Sequence, residues 1–192
     1  MPNPARVLEH ADVRQLIRLV RAQRHAPRNL VIVLLSFKAG LRACEIAGLD
    51  WRMVLTPRGQ VAHQLLVSGH IAKNGHARVL PMNGELRASL SALHRLHGKP
   101  RTGPVVRSER GDHLRPRSIV NWFAGVYAEL GMDGCSSHSG RRTFITRSAR
   151  LLTRSGGSLR DVQELAGHRQ LTTTERYIQG DRAAQRRLIH LV

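Results

Sequence analysis

Apolar side chains at Val13, Leu16, Ile17 and Val20 fall at i, i+3, i+4 and i+7, the spacing that lines one stripe of an amphipathic helix. The stretch NLVIVLLSFKA (29–39) is apolar on almost every side, which predicts a buried central helix stopped by Gly40. A short third helix is expected over about 42–49, ending around Gly48 and Trp51. Between residues 60 and 80 the pattern changes to short apolar runs: QLLV, HIAK and ARVL. Asn74-Gly75 stands between the last two and predicts a tight hairpin, because both central positions of a type I′ turn need φ > 0. Helical spacing returns after Pro81, with Asn83 as N-cap and Leu86, Leu90, Leu93 and Leu96 on one face. Loops are expected at GKPRTGP (98–104) and SERGD (108–112). A helix over 116–130 turns Ile119, Trp122, Phe123, Val126 and Leu130 inward, and Tyr127 sits among them as core. Another spans about 138–152. Ser158, with Asp161 three residues on, opens a helix to Ala166, and a last helix from about 172 carries Tyr177. The sum is α+β: a mostly helical single domain over 1–192 with one small antiparallel β-sheet.

Charge changes this picture most. Lys and Arg number 31 against 13 acidic residues, for a net charge of +18. Such an excess costs self-repulsion and is usually kept to meet a polyanion, with nucleic acid ahead of an anionic membrane surface or an RNA partner. A chain of 192 residues can bury a real core, and no apolar run reaches membrane-spanning length. The N-terminus MPNPARVLEH has no signal-peptide apolar stretch. Two cysteines, Cys44 and Cys135, suggest neither a disulfide framework nor a zinc site, so a reducing cytoplasm is expected. His70, His76, His94 and His97 show no metal-ligand spacing, and no metal or cofactor is expected.

Several polar residues then stand out by position. Arg42 opens a helix immediately after Gly40, where free backbone N–H groups favour an anion, and Glu45 three residues on is placed to buttress it. Lys73 precedes the Asn-Gly turn. His138 and Arg141 share one face of a helix start, and His168 follows Gly167 at a helix end, nine residues before Tyr177.

GLRACEIAGLDW, KNGHARVLP, HSGRRTFIT and LAGHRQLTTTERY together resemble the tyrosine recombinases, or phage-type integrases. The family's blocks read roughly G-L-R-x-x-E-x-x-x-L, K-x-x-x-x-R-x-x-P, H-x-L-R-H-T and L-G-H-x-x-x-x-T-T-x-x-Y, and the four occur here in family order across 40–177. The resemblance implies the family's catalytic-domain fold and its chemistry. Tyr177 matches the nucleophile that forms a 3′-phosphotyrosyl link. Arg42 and Arg141 match the arginines that grip the non-bridging oxygens. Lys73 matches the general acid, His138 the general acid/base, and His168 the second histidine, which bonds the phosphate. Glu45 resembles the acidic helper beside the first arginine. Arg78 and Arg142 are candidate further DNA contacts, although Arg78 reads equally as a solvated strand charge.

The chemistry needs these types. A phenol of pKa about 10 is roughly one part in a thousand ionised at pH 7, so it needs a base and a positive site to attack. Guanidinium forks meet the charge growing on the equatorial oxygens. A donor such as Lys73 to the leaving 5′-oxygen contributes about 10²–10⁴-fold. No ATP is needed, since the phosphotyrosine keeps the bond energy. The sequence departs from the pattern at Gly140, where the family usually has Leu, and at Arg142, where it often has His; Gly140 is expected to loosen the helix that presents Arg141.

The catalytic block begins almost at once, as in the short fimbrial phase-switch recombinases, so no N-terminal core-binding domain is expected. The implied partners are double-stranded DNA, a homo-tetramer assembled on it, and an accessory DNA-bending or core-binding protein, in a nucleoid-associated setting. The tail 178–192 is expected to dock on a neighbouring protomer, while Arg182, Arg186 and Arg187 read equally as a solvated face or a DNA-facing strip. Two alternatives stay open: a type IB topoisomerase-like relaxase and a non-catalytic DNA-binding regulator.

Overall fold

Asp12 Oδ2 accepts the backbone N–H of Glu9 at 3.0 Å and starts helix α1 (His10–Ala22), which buries Val13, Leu16 and Val20. Helix α2 (Ala26–Lys38) carries Pro27 in its first turn, where a missing N–H costs nothing. Every residue from Val31 to Phe37 is buried, because α2 packs against α1, α3 (Ala43–Gly48), α4 (Gly84–Leu96) and α6 (Ser139–Ser155). The computed structural model describes residues 4–177 and residue 189. The expected docking tail, with Arg182, Arg186 and Arg187, otherwise lies outside the described residues.

Strands β1 (Gln64–Val67) and β2 (Arg78–Pro81) pair antiparallel, Leu65 facing Leu80 and Val67 facing Arg78. Leu65, Val67 and Leu80 enter the core. QLLV thus pairs with RVLP across a ten-residue loop, 68–77, and not through a two-residue Asn-Gly turn. HIAK is not extended: Ile71 and Ala72 both donate to the Ser68 carbonyl, at 3.2 Å each. Ile71 is pulled inward instead, so close to Gly48 that a Cβ there would lie 2.5 Å from its methyl group. Gly75 keeps the positive φ the sequence signalled, at 72°. Packing one half-buried branched side chain against the core accompanies the longer loop.

In α4 the Asn83 side chain accepts the Leu86 N–H at 2.9 Å, as the cap predicts. Leu86, Leu90 and Leu93 are buried, but Leu96 is 67% exposed and His94 takes the inward place. The His94 ring packs on buried Trp51, centroids 4.6 Å apart and tilted by 50°, and bonds the Pro100 carbonyl at 2.9 Å. Helix α5 (Pro116–Glu129) buries Ile119, Phe123, Val126 and Tyr127. Helix α7 (Leu159–Ala166) opens with Asp161 accepting from the Ser158 backbone and hydroxyl, at 2.6 and 2.9 Å. Helix α8 (Leu171–Glu175) is shorter than expected, so Tyr177 lies in the turn beyond it, its N–H on the Thr174 carbonyl at 3.0 Å.

The main core joins α1–α5 and the sheet. Ile145, Val162 and Ala166 form a second, smaller core on which Phe144 and Tyr177 pack. Among the described residues no helix is long and apolar enough to cross a membrane.

Gly140 does not loosen α6; it lets α6 close on α2. A Cβ there would stand 2.1 Å from Ser36 Oγ and 2.9 Å from the Phe37 ring. Gly140→Leu is therefore expected to cost about 1–3 kcal/mol of overpacking, read as a lower urea midpoint. An unchanged midpoint would show that the helices can part freely there.

Candidate active site

Four chain segments meet in one open cleft of about 640 Å³. Arg42 comes from the N-cap of α3, Lys73 from the loop between the strands, and His138 and Arg141 from the start of α6. His168 and Tyr177 flank α8. All six expected catalytic side chains line this cleft, and Arg142 lines it too. Glu45 lies behind it, fully buried.

Arg141 is only 3% exposed, so its charge must be met inside the protein. Nη1 donates to the Gly40 carbonyl at 2.6 Å, and Nη2 donates to the Ala166 carbonyl at 2.6 Å. Nη2 also donates to His168 Nε2 at 3.0 Å. Gly40 reaches this position with φ +63°, and a Cβ would strike the Phe144 ring at 2.4 Å, so only glycine fits. Ala166 ends α7, where its carbonyl has no helical partner. A guanidinium has five N–H groups. Three are engaged among the described residues, and the Nε–H and one Nη1–H remain for a ligand. Burial, then the charges of Arg42 and Arg78, draws Arg141 down to about 10, still a cation at neutral pH.

That contact decides the state of His168. An arginine N–H can only donate, so Nε2 accepts, and the proton sits on Nδ1, 2.9 Å from the buried Thr174 hydroxyl. Gln163 holds the backbone beneath, donating to the carbonyls of His168 and Arg169 at 3.0 and 3.2 Å. Gly167, at φ +64°, turns the chain out of α7. His168 therefore serves Arg141. It can donate to a phosphate only after gaining a proton or changing tautomer.

Tyr177 stacks on the His168 ring, centroids 5.6 Å apart at 22°, and the Arg142 guanidinium lies 5.6 Å from its ring centre. Its carbonyl accepts from the Thr146 hydroxyl at 3.3 Å. The His138 ring faces the cleft from the N-cap of α6; partial burial, then Arg141, Arg42 and Lys73, lowers its pKa, leaving a neutral imidazole able to take a proton.

Glu45 takes the place expected of it. Oε2 accepts the Arg42 backbone N–H at 2.8 Å, and Oε1 accepts from Arg42 Nη1 at 3.1 Å. Burial pushes this carboxyl up, but the hydrogen bond and charge of Arg78, with help from Arg42, win and hold it below its ordinary value. Arg78, by contrast, is not turned to solvent. Its side chain is 9% exposed and bound to Glu45, so neither the solvated reading nor the free DNA contact describes it. The sequence left Thr174, Thr146 and Gln163 without roles. Thr174 lies inside the quoted Thr-Thr pair, the one signal that pointed to it.

His168 is held near 4, first by burial and then by the charges of Arg141, Arg42 and Arg78. As pH falls below 6.5 the unfolded chain gains a proton that the folded ring refuses until about 4. Stability is thus lost across that window, by about 3 kcal/mol at most. Urea unfolding at about pH 7.5 and about pH 4.5 should show a smaller loss in His168→Gln than in the wild type. Equal losses would mean the ring titrates normally.

Residues 6–183 match the phage integrase family. The chain is 36% identical over 157 residues to the tyrosine recombinase XerC of Nitrobacter winogradskyi, covering 78% of this chain and 45% of that one. It spans about half the length of the curated relatives it matches. Two solved structures share its fold. The Tn1549 transposon integrase, in complex with a circular intermediate DNA, superposes with a TM-score of 0.75 at 16% identity, over 100% of this chain and 67% of that one. The XerA recombinase gives 0.74 at 20%, over 100% and 66%. The mostly helical domain with its two-stranded sheet is the tyrosine recombinase catalytic fold, and the chain belongs to the phage integrase family.

Proposed function

We propose that this chain cuts and rejoins DNA strands at a specific site through a covalent link to Tyr177. One observation carries the reading: six side chains of the types that metal-free phosphoryl transfer needs, drawn from distant segments, line a single cationic cleft. Arg141 and Arg42 take the non-bridging oxygens of a backbone phosphate. The Tyr177 oxygen attacks phosphorus, His138 accepts the phenolic proton, and the P–O5′ bond breaks as Lys73 protonates the leaving oxygen. Reversal by another strand's 5′-hydroxyl rejoins DNA. The net charge of +18 and the relatives' recombinase names support double-stranded DNA as substrate. In the same reading the protein works in the cytoplasm on nucleoid DNA, as a tetramer, with an accessory DNA-bending or core-binding protein.

Nicked duplexes from the host genome, made so that the cleaved end diffuses away, test this. Wild type is expected to leave a 3′-linked adduct focused on one sequence, and Tyr177→Phe none, with DNA binding retained. Arg141→Ala should slow adduct formation by about 10²–10³-fold. Adducts scattered over all sequences would favour a relaxase, and tight binding without any adduct would contradict the chemistry.

A further inference from the structure

Arg78 begins β2, five residues beyond Lys73. Its Nη1 and Nη2 donate to Glu45 Oε1 and Oε2, each at 2.9 Å, in a forked pair. Its Nε donates to the Leu165 carbonyl at 3.2 Å. One side chain thereby reaches three parts of the site. Glu45 is the carboxylate that also grips Arg42. Leu165 precedes Ala166, whose carbonyl holds Arg141, and Gly167, which leads to His168. The approach is close: a Cβ on Gly167 would lie 3.0 Å from Arg78 Cδ and 3.1 Å from Nη1. Arg78 lines a second cleft behind the strand loop and does not line the one that holds Tyr177.

We infer that Arg78 is a positioning residue: its fork on Glu45 and its bond to Leu165 lock the loop 68–77 against α3 and α7, and so hold Lys73 over the phosphate cleft. This rests on the reading of Lys73 as the proton donor. The geometry supports it in two ways. The loop's other described side-chain ties to the end of α7 and the residues after it are two long contacts, Asn74 Nδ2 to the Gly167 carbonyl at 3.5 Å and Arg169 Nη2 to His76 Nε2 at 3.4 Å, both weaker than the Arg78 fork. Nor can a lysine replace the arginine, because a single ammonium cannot span both carboxylate oxygens and a carbonyl in one plane.

Arg78→Lys keeps the charge and loses the fork, with Glu45→Gln as the partner variant. Hydrogen exchange on the whole chain reads the lock directly. Amides of 68–77 should exchange about tenfold faster in Arg78→Lys, with α2 and α4 unchanged. Adduct formation is then compared on duplexes whose leaving atom is the 5′-oxygen or a 5′-sulfur. A thiol, of pKa about 8.5, leaves without a proton, so loss of Lys73's position costs about 10–100-fold on oxygen and little on sulfur. DNA affinity and its salt dependence should not change. Three results overturn the inference: unchanged loop exchange, an equal loss on both duplexes, or a salt slope lowered by about one phosphate. Wild type that forms no adduct on either duplex counts against the proposed function, and loop exchange then decides this inference by itself.

Discussion

Everything in the cleft depends on how one buried cation is held. Arg141 has almost no access to water, and a guanidinium in that position costs several kcal/mol unless the protein supplies acceptors. It supplies three, from the chain after α2, the end of α7 and the ring after it. The acceptors lie as far as 101 residues away in sequence, so α2, α6 and α7 must all be packed before Arg141 is satisfied. The same packing leaves two of its N–H groups without a partner among the described residues, at a side chain that lines the cleft. The site therefore need not be built by a ligand, and in the proposed reaction little reorganisation is asked of it as phosphate charge develops.

Such a cluster of cations invites its own collapse. Arg42, Arg78, Arg141 and Lys73 lie near one another, and Glu45 is the one carboxylate buried among them in the described residues. A single negative charge with four charge-assisted hydrogen bonds, two from Arg42 and two from Arg78, neutralises part of this repulsion without entering the cleft. It leaves the outward face of Arg42 positive. The two histidines complete the balance by staying neutral: pressed by burial and by the arginines, they add hydrogen-bonding and proton-accepting capacity without adding charge.

Most of the elements were legible because helix periodicity and caps act locally: α1, α2, the Asn83 cap and the Ser158–Asp161 start all follow from neighbours in sequence. The cleft residues were legible through the spacing of four blocks, a record of chemistry more than of local structure. What sequence could not give was set by contacts across the fold. Arg78 turns inward because a carboxylate 33 residues away needs a partner. The Asn-Gly turn gives way to a ten-residue loop in which Ile71, half-buried, packs beside Gly48 at the core's edge. Leu96 stays out because Trp51 takes His94 as its neighbour instead. Gly140, which breaks the family pattern, is explained by Ser36 and Phe37 on another helix.

The most direct measurement of a site assembled around Arg141 is the protonation of His168 in the DNA-free protein, read from ring ¹⁵N shifts at neutral pH. A neutral ring protonated on Nδ1, with Nε2 bare toward Arg141, is the expected result. It should lose that form in Thr174→Val, where the Nδ1–H has no acceptor. A ring that is protonated on Nε2, or that carries a full charge at pH 7, would contradict the Arg141–His168 contact and leave Arg141 held by the Gly40 and Ala166 carbonyls alone.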